Sequence, residues 1–137
     1  MNLDAVQHRV QDAWVRQDWH DWAATCAPTY RFLLTPSFPA LDASQTVAWS
    51  RAWFAAFPDY TEQVRGVYST DRAVAYELIG SGTAMGDLIF GGRIVTTCRR
   101  GSTFVLPYVK VLVVNDGGLV EEDRQYLDVS SLENQVR

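Results

Sequence analysis

A change of period near Pro58 limits what this chain can fold into more than any other feature. Before it, apolar residues recur three and four positions apart, the spacing of a helix face. Leu3, Val6, Val10, Ala13, Trp14 and Gln17 follow that spacing, which predicts an amphipathic helix over 2–16. Asp18 is placed to cap a second helix with Trp19, Trp22, Ala23 and Cys26 on one stripe, closed by Pro28. Asp42 and Gln45 have capping-box spacing for a third, with stripe residues Trp49, Ala52, Trp53, Ala56 and Phe57 before Pro58.

Beyond Pro58 the segments QVRGVYS, AVAYELIGSGTAM, FVLPYVKVLVV and LVEEDRQYLD are rich in Val, Tyr and Thr and bounded by turn residues, as strands are. NDGG is a hairpin signal between the last two, IFGGRIV suggests a smaller hairpin, and SSLE (Ser130 with Glu133) matches a capping box for a short final helix. Helices first and strands afterwards predict an α+β fold, with helices laid over one face of a mostly antiparallel sheet. Strong curvature of such a sheet would make a cone-shaped barrel enclosing an apolar pocket. The 137 residues suffice for one domain, taken as 1–137.

Charge narrows the partners. The net charge is −4, and the 12 Lys and Arg are scattered apart from Arg99-Arg100, so no basic face for nucleic acid is expected. No apolar run approaches the roughly 20 residues of a membrane span. The opening MNLDAVQHRVQDAW is amphipathic and carries acids, unlike a signal peptide. Cys26 and Cys98 fit neither a metal spacing nor a disulfide framework and read as reduced thiols of a cytoplasmic protein.

His8 and His20 both fall off the apolar stripes and should face water, which leaves no histidine-based nucleophile or metal site. Acid–base work then falls to carboxylates, Tyr, Lys or Cys. Strict alternation in the last strand groups Val120, Glu122, Arg124, Tyr126 and Asp128 on one face, and Glu121, Asp123, Gln125 and Leu127 on the other. Asp128 has two readings: a carboxylate at the start of the final helix, or an acid desolvated beneath Tyr126 and poised for proton transfer. Lys110 shares a face with Tyr108 and Leu112, and is either an edge or snorkelling amine or a pocket amine within reach of Asp128. Glu77 reads as a rim residue and Asp59 as a turn residue. GSGTAMGD lacks the spacing of a phosphate loop and reads as a bend or bulge in a long strand.

Taken in order, VQDAWVRQDWHDWAATCAP, WFAAFPDY, GSGT and DGGLVEEDRQYLDVSSLENQV resemble the SnoaL-like polyketide cyclases of the nuclear-transport-factor-2-like superfamily. The resemblance implies a cone-shaped α+β fold, often a homodimer packed through its sheets. It also implies that Asp128 stands where the cyclases keep their acid–base aspartate and that Tyr126 matches the Tyr of the same motif. Leu78 and Gly80 stand where limonene-epoxide-hydrolase-like relatives carry an Arg-x-Asp pair, and Ala84 where many cyclases place a His. The expectation is a cofactor-free, metal-free cyclase or isomerase of specialised metabolism acting on a small apolar polyketide-like or terpenoid-like substrate. Asp128 would be its acid–base group, Tyr126, Tyr108 or Tyr30 its oxyanion donors, and Lys110 a tuning or oxyanion group. Trp14, Tyr30, Trp53, Phe57, Tyr108 and Leu112 would contact the substrate. Epoxide opening and non-catalytic ligand binding are the alternatives.

Overall fold

The computed structural model describes residues 2–34 and 37–137. Helix α1 (Leu3–Val15) is capped by Asn2, whose side chain accepts from the Ala5 amide. It ends before Gln17, which takes a left-handed φ of 56° and so lies past the helix rather than on its stripe. Asp18 caps α2 (Trp19–Ala24), and Asp42 with Gln45 forms the full capping box of α3 (Ala43–Ala56), as their spacing predicts. The second helix is shorter than its predicted stripe. Cys26 already belongs to a strand, β1 (Cys26–Leu33), which the sequence reading missed.

The remaining strands are β2 (Thr61–Ser69), β3 (Ala73–Thr83), β4 (Leu88–Phe90), β5 (Arg93–Thr96), β6 (Thr103–Val114) and β7 (Val120–Leu127), followed by α4 (Val129–Val136). Five of them form one sheet in the order β1-β7-β6-β3-β2. The first pair runs parallel and the others antiparallel, so the sheet is mixed. Pro28 is exposed on β1, an edge strand, where its missing N–H breaks no ladder bond. Strands β4 and β5 form a separate hairpin, turned by Gly91 and Gly92 at positive φ. Asn115 organises the NDGG turn by accepting from the amides of Gly117 and Leu119.

One face of the sheet carries Val74, Tyr76 and Leu78 from β3 and Phe104, Leu106, Tyr108, Lys110, Leu112 and Val114 from β6, all buried against the helical layer. Aromatic rings continue this core. Trp53 packs edge-on against Phe57, Tyr60 and Phe104, and Trp49 packs against Phe38 and Phe90. Each such pair adds roughly 0.5–1.5 kcal/mol beyond the area it buries.

The GSG stretch is no bulge against β6, since β3 pairs with β6 in unbroken register from Ala73 to Thr83. Gly80 is there because the end of the Tyr60 ring fills the space a Cβ would take. The final helix begins at Val129 and its cap is Asp128, not Ser130.

Candidate active site

The parity of β7 decides which acid faces inward. Val114 pairs with Val120, and Val113 pairs with Glu122, so Glu121 is an extra residue opposite a single step of β6. Such a bulge inverts the alternation beyond it. Val120 is inward, and past the bulge Asp123, paired with Leu112, is inward too. The face carrying Tyr126 and Asp128 therefore turns outward. Tyr126 is 59% exposed. Asp128 is exposed, and its side chain accepts from the Ser131 amide at 3.1 Å as the cap of α4. Neither lines the cavity, and the reading of Asp128 as a desolvated acid beside Lys110 is overturned by this parity change.

Lys110 is inward and 4% exposed, so the edge or snorkelling reading gives way to a pocket amine. Its Nζ lies 4.8 Å from the Trp14 ring centroid, 5.7 Å from that of Tyr108 and 5.9 Å from that of Tyr76. It lies 3.8 Å from Oε1 of Glu62, a β2 side chain with no exposed surface. Glu62 is held by short bonds, 2.7 Å from Nε2 of Gln11 and 2.8 Å from the Tyr60 hydroxyl. Asp123, 5% exposed, is held loosely. The Tyr30 hydroxyl donates at 3.3 Å and Gln125 Nε2 at 3.4 Å.

Burial pushes the Asp123 carboxyl above the ordinary carboxylate range. Lys110, Gln125 and Tyr30 pull it partly back, and Glu62 pushes it further up. Burial by itself would lower the Lys110 pKa, but the charge of Glu62, the largest opposing influence, outweighs it and the amine stays protonated. Burial raises the phenols of Tyr30, Tyr60 and Tyr76, so they remain donors. It also pushes the Cys26 thiol up to about 12, too high for a thiolate nucleophile at neutral pH. His8 and His20 are exposed, as expected.

Lys110, Asp123, Gln125 and Tyr60 border a cavity of about 70 Å³. Lys110, Asp123 and Gln125 form its polar wall, and most of the rest is apolar, including Trp14, Trp22, Trp49, Trp53, Tyr60 and Tyr108. Of the six expected substrate contacts, Trp14, Trp53 and Tyr108 line it. Tyr30 stands behind Asp123, while Phe57 and Leu112 are fully buried core residues outside the lining. The indole N–H of Trp14 is committed to Ser50 Oγ at 3.0 Å, whereas the buried N–H of Trp53 has no acceptor among the described residues.

Sequence reasoning missed Asp123, Glu62, Gln11 and Tyr60. One signal was available: a lysine on the same face as Tyr108 and Leu112 needs an inward acid to balance it. Glu62 lies at the start of an edge strand and Asp123 beyond an unmarked bulge, so neither stood out.

The sequence pattern of the SnoaL-like polyketide cyclases matches residues 4–136. The chain belongs to that family. Among solved structures, the SnoaL-like chain is similar to a candidate SnoaL-like polyketide cyclase from Jannaschia sp. CCS1, at 21% identity and a TM-score of 0.80, covering 96% of this chain and 89% of the other. It is similar to IdmH, a candidate polyketide cyclase from Streptomyces antibioticus, at 20% identity and 0.77, covering 98% of each chain. AclR, a candidate hydroxylase from Streptomyces galilaeus, matches at 20% identity and 0.74, covering 94% and 90%. At these identities the likeness shows the fold, which hosts more than one chemistry. No curated protein sequence matches this SnoaL-like chain. Among its described residues no helix is long and apolar enough to cross a membrane.

Proposed function

We propose that this SnoaL-like protein is a cofactor-independent cyclase or isomerase in which Asp123 moves a proton on a small, apolar, carbonyl-bearing substrate of polyketide or terpenoid type. One observation carries the reading. Asp123 is a buried acid with a raised pKa and only long hydrogen bonds, and it borders a cavity lined by aromatic rings. A carboxylate with raised pKa is the stronger base once ionised.

In the proposed step the Asp123 carboxylate takes a proton from the carbon beside a carbonyl, and the C–H electron pair passes into an enolate. The enolate carbon attacks a second carbonyl of the same molecule, forming a C–C bond. The resulting alkoxide recovers the proton from Asp123. Lys110, held as an ammonium, and the unpartnered Trp53 N–H are donors for the developing oxyanion.

The cavity is small beside the roughly 300–1,000 Å³ of drug-sized ligand sites, so a polycyclic substrate enters only if the wall parts. The β4–β5 hairpin, unpaired with the main sheet, supplies Leu88, Val95 and Thr96 to that wall and is the segment placed to move. Epoxide hydrolysis is disfavoured: Leu78 is buried, and the space beside Gly80 is filled by Tyr60.

Deuterium uptake from heavy water beside the carbonyl of a small aryl alkyl ketone tests the assignment without knowledge of the natural substrate. Asp123→Asn is expected to fold, to bind the ketone and to slow its exchange by about 10²–10⁴-fold. Exchange at the wild-type rate would remove Asp123 from the chemistry and leave a binding protein. In wild type the exchange rate is expected to rise with pH along a limb lying above the ordinary carboxylate pKa of about 3.9.

A further inference from the structure

Two cavity-lining groups, the Lys110 amine and the Asp123 carboxyl, share their buried surroundings with a second acid, Glu62, and the three come from different strands. Lys110 (β6), Glu62 (β2) and Asp123 (β7) all have buried side chains. One ammonium balances one carboxylate, and ionising both acids would leave an uncompensated negative charge away from water, which proteins avoid by retaining a proton. Geometry says where that proton stays. Both oxygens of Glu62 already accept short bonds, from Gln11 at 2.7 Å and Tyr60 at 2.8 Å, and one oxygen faces Lys110 at 3.8 Å. Asp123 accepts only the longer bonds from Tyr30 and Gln125 and is the acid that borders the cavity.

We propose that Glu62, acting through Lys110, sets the pH at which Asp123 releases its proton: the resting trio is neutral, with Lys110 as ammonium, Glu62 as carboxylate and Asp123 as carboxylic acid. Glu62 is then a positioning residue whose charge occupies the ammonium and denies it to Asp123. The consequence for turnover rests on the proton-transfer role given to Asp123 above, whereas the protonation pattern itself does not.

The other titratable groups that influence Asp123 are Tyr76 on β3 and Tyr30 and Cys26 on β1. All three are held neutral by burial, so the charges in play are those of Lys110 and Glu62. Helix α1 brings the uncharged Gln11 and Trp14 to the cluster.

The experiment is a carbon-13 NMR titration of aspartate side-chain carboxyls in the full chain, with the Asp123 signal identified by its loss in Asp123→Asn. Glu62→Gln is expected to move the Asp123 midpoint to lower pH, because Lys110 is left with Asp123 as its counter-ion. Lys110→Met is expected to move it to higher pH. A merely structural role for Glu62 predicts no such opposed pair of shifts. An Asp123 midpoint in Glu62→Gln that stays at the wild-type value, or rises, overturns the proposal. Should Glu62→Gln not fold, Lys110→Met decides alone, and an unchanged or lowered midpoint there overturns it. The acid limb of ketone exchange is expected to follow the same displacement. Opposed NMR shifts with undiminished exchange in Asp123→Asn would keep the charge trio and discard the catalytic role. Unmoved midpoints with abolished exchange would do the reverse.

Discussion

An amine in a protein interior must be answered by opposite charge or give up its proton, and Lys110 shows the first outcome. Three aromatic faces lie within 6 Å of its nitrogen, each contact worth roughly 0.5–2 kcal/mol, and Glu62 supplies the counter-charge. Asp123 is consequently the member whose charge the fold resists. Its folded-state pKa is raised, so between the unfolded value near 3.9 and the folded value the native state binds more protons than the unfolded chain. Stability contributed by Asp123 is therefore full at low pH and lost as pH rises through that window. Asp123→Asn, which carries no charge at any pH, should melt increasingly above wild type as pH is raised from about 4 to about 8, measured by scanning calorimetry. A constant offset would contradict the raised pKa.

At the scale of elements, the helix caps were readable because Asp18 and Asp42 begin their helices with the spacing that local hydrogen bonding requires. The grouping of Tyr108, Lys110 and Leu112 on one face of β6 was readable as well, since strict alternation holds along it, but a lone lysine among them hid that this face is the inner one. Strand β1 was hidden by Pro28, which marks a boundary in most contexts but is tolerated at a sheet edge. The parity of β7 was unreadable for a different reason. The extra residue is Glu121, with no glycine to announce a bulge, so counting in twos put the wrong carboxylate inside. Asp128 in turn carries the other role open to it, that of a cap. Asp128→Ala should lower stability by roughly 0.5–2 kcal/mol in denaturant titration while leaving ketone exchange at the wild-type rate. A loss of exchange without a loss of stability would return Asp128 to the chemistry.

For the whole molecule, the outer face of the sheet carries a row of apolar residues. Val105 is 54% exposed, Pro107 is exposed, and Val109, Val111 and Val113 continue the same row, with Tyr126 paired beside Val109. We propose that a second copy of the chain covers this row, an interface of roughly 800 Å² per partner being typical of stable pairs. Sedimentation equilibrium should give a dimer for wild type and a monomer for Val109→Lys. A wild-type monomer at micromolar concentration would refute the pairing.

The parallel seat of β1 beside β7 has a consequence in time. A strand finished by residue 33 can find its neighbour only after residue 120 has been made, and the bond from Tyr30 to Asp123 spans 93 residues. During synthesis the early helices and the hairpins can form while that edge waits, since contacts between distant parts of a chain close late. The acid's surroundings are thus among the last to assemble, and a ribosome stalled before the final strand holds a chain with a partial core and an unfinished cavity wall.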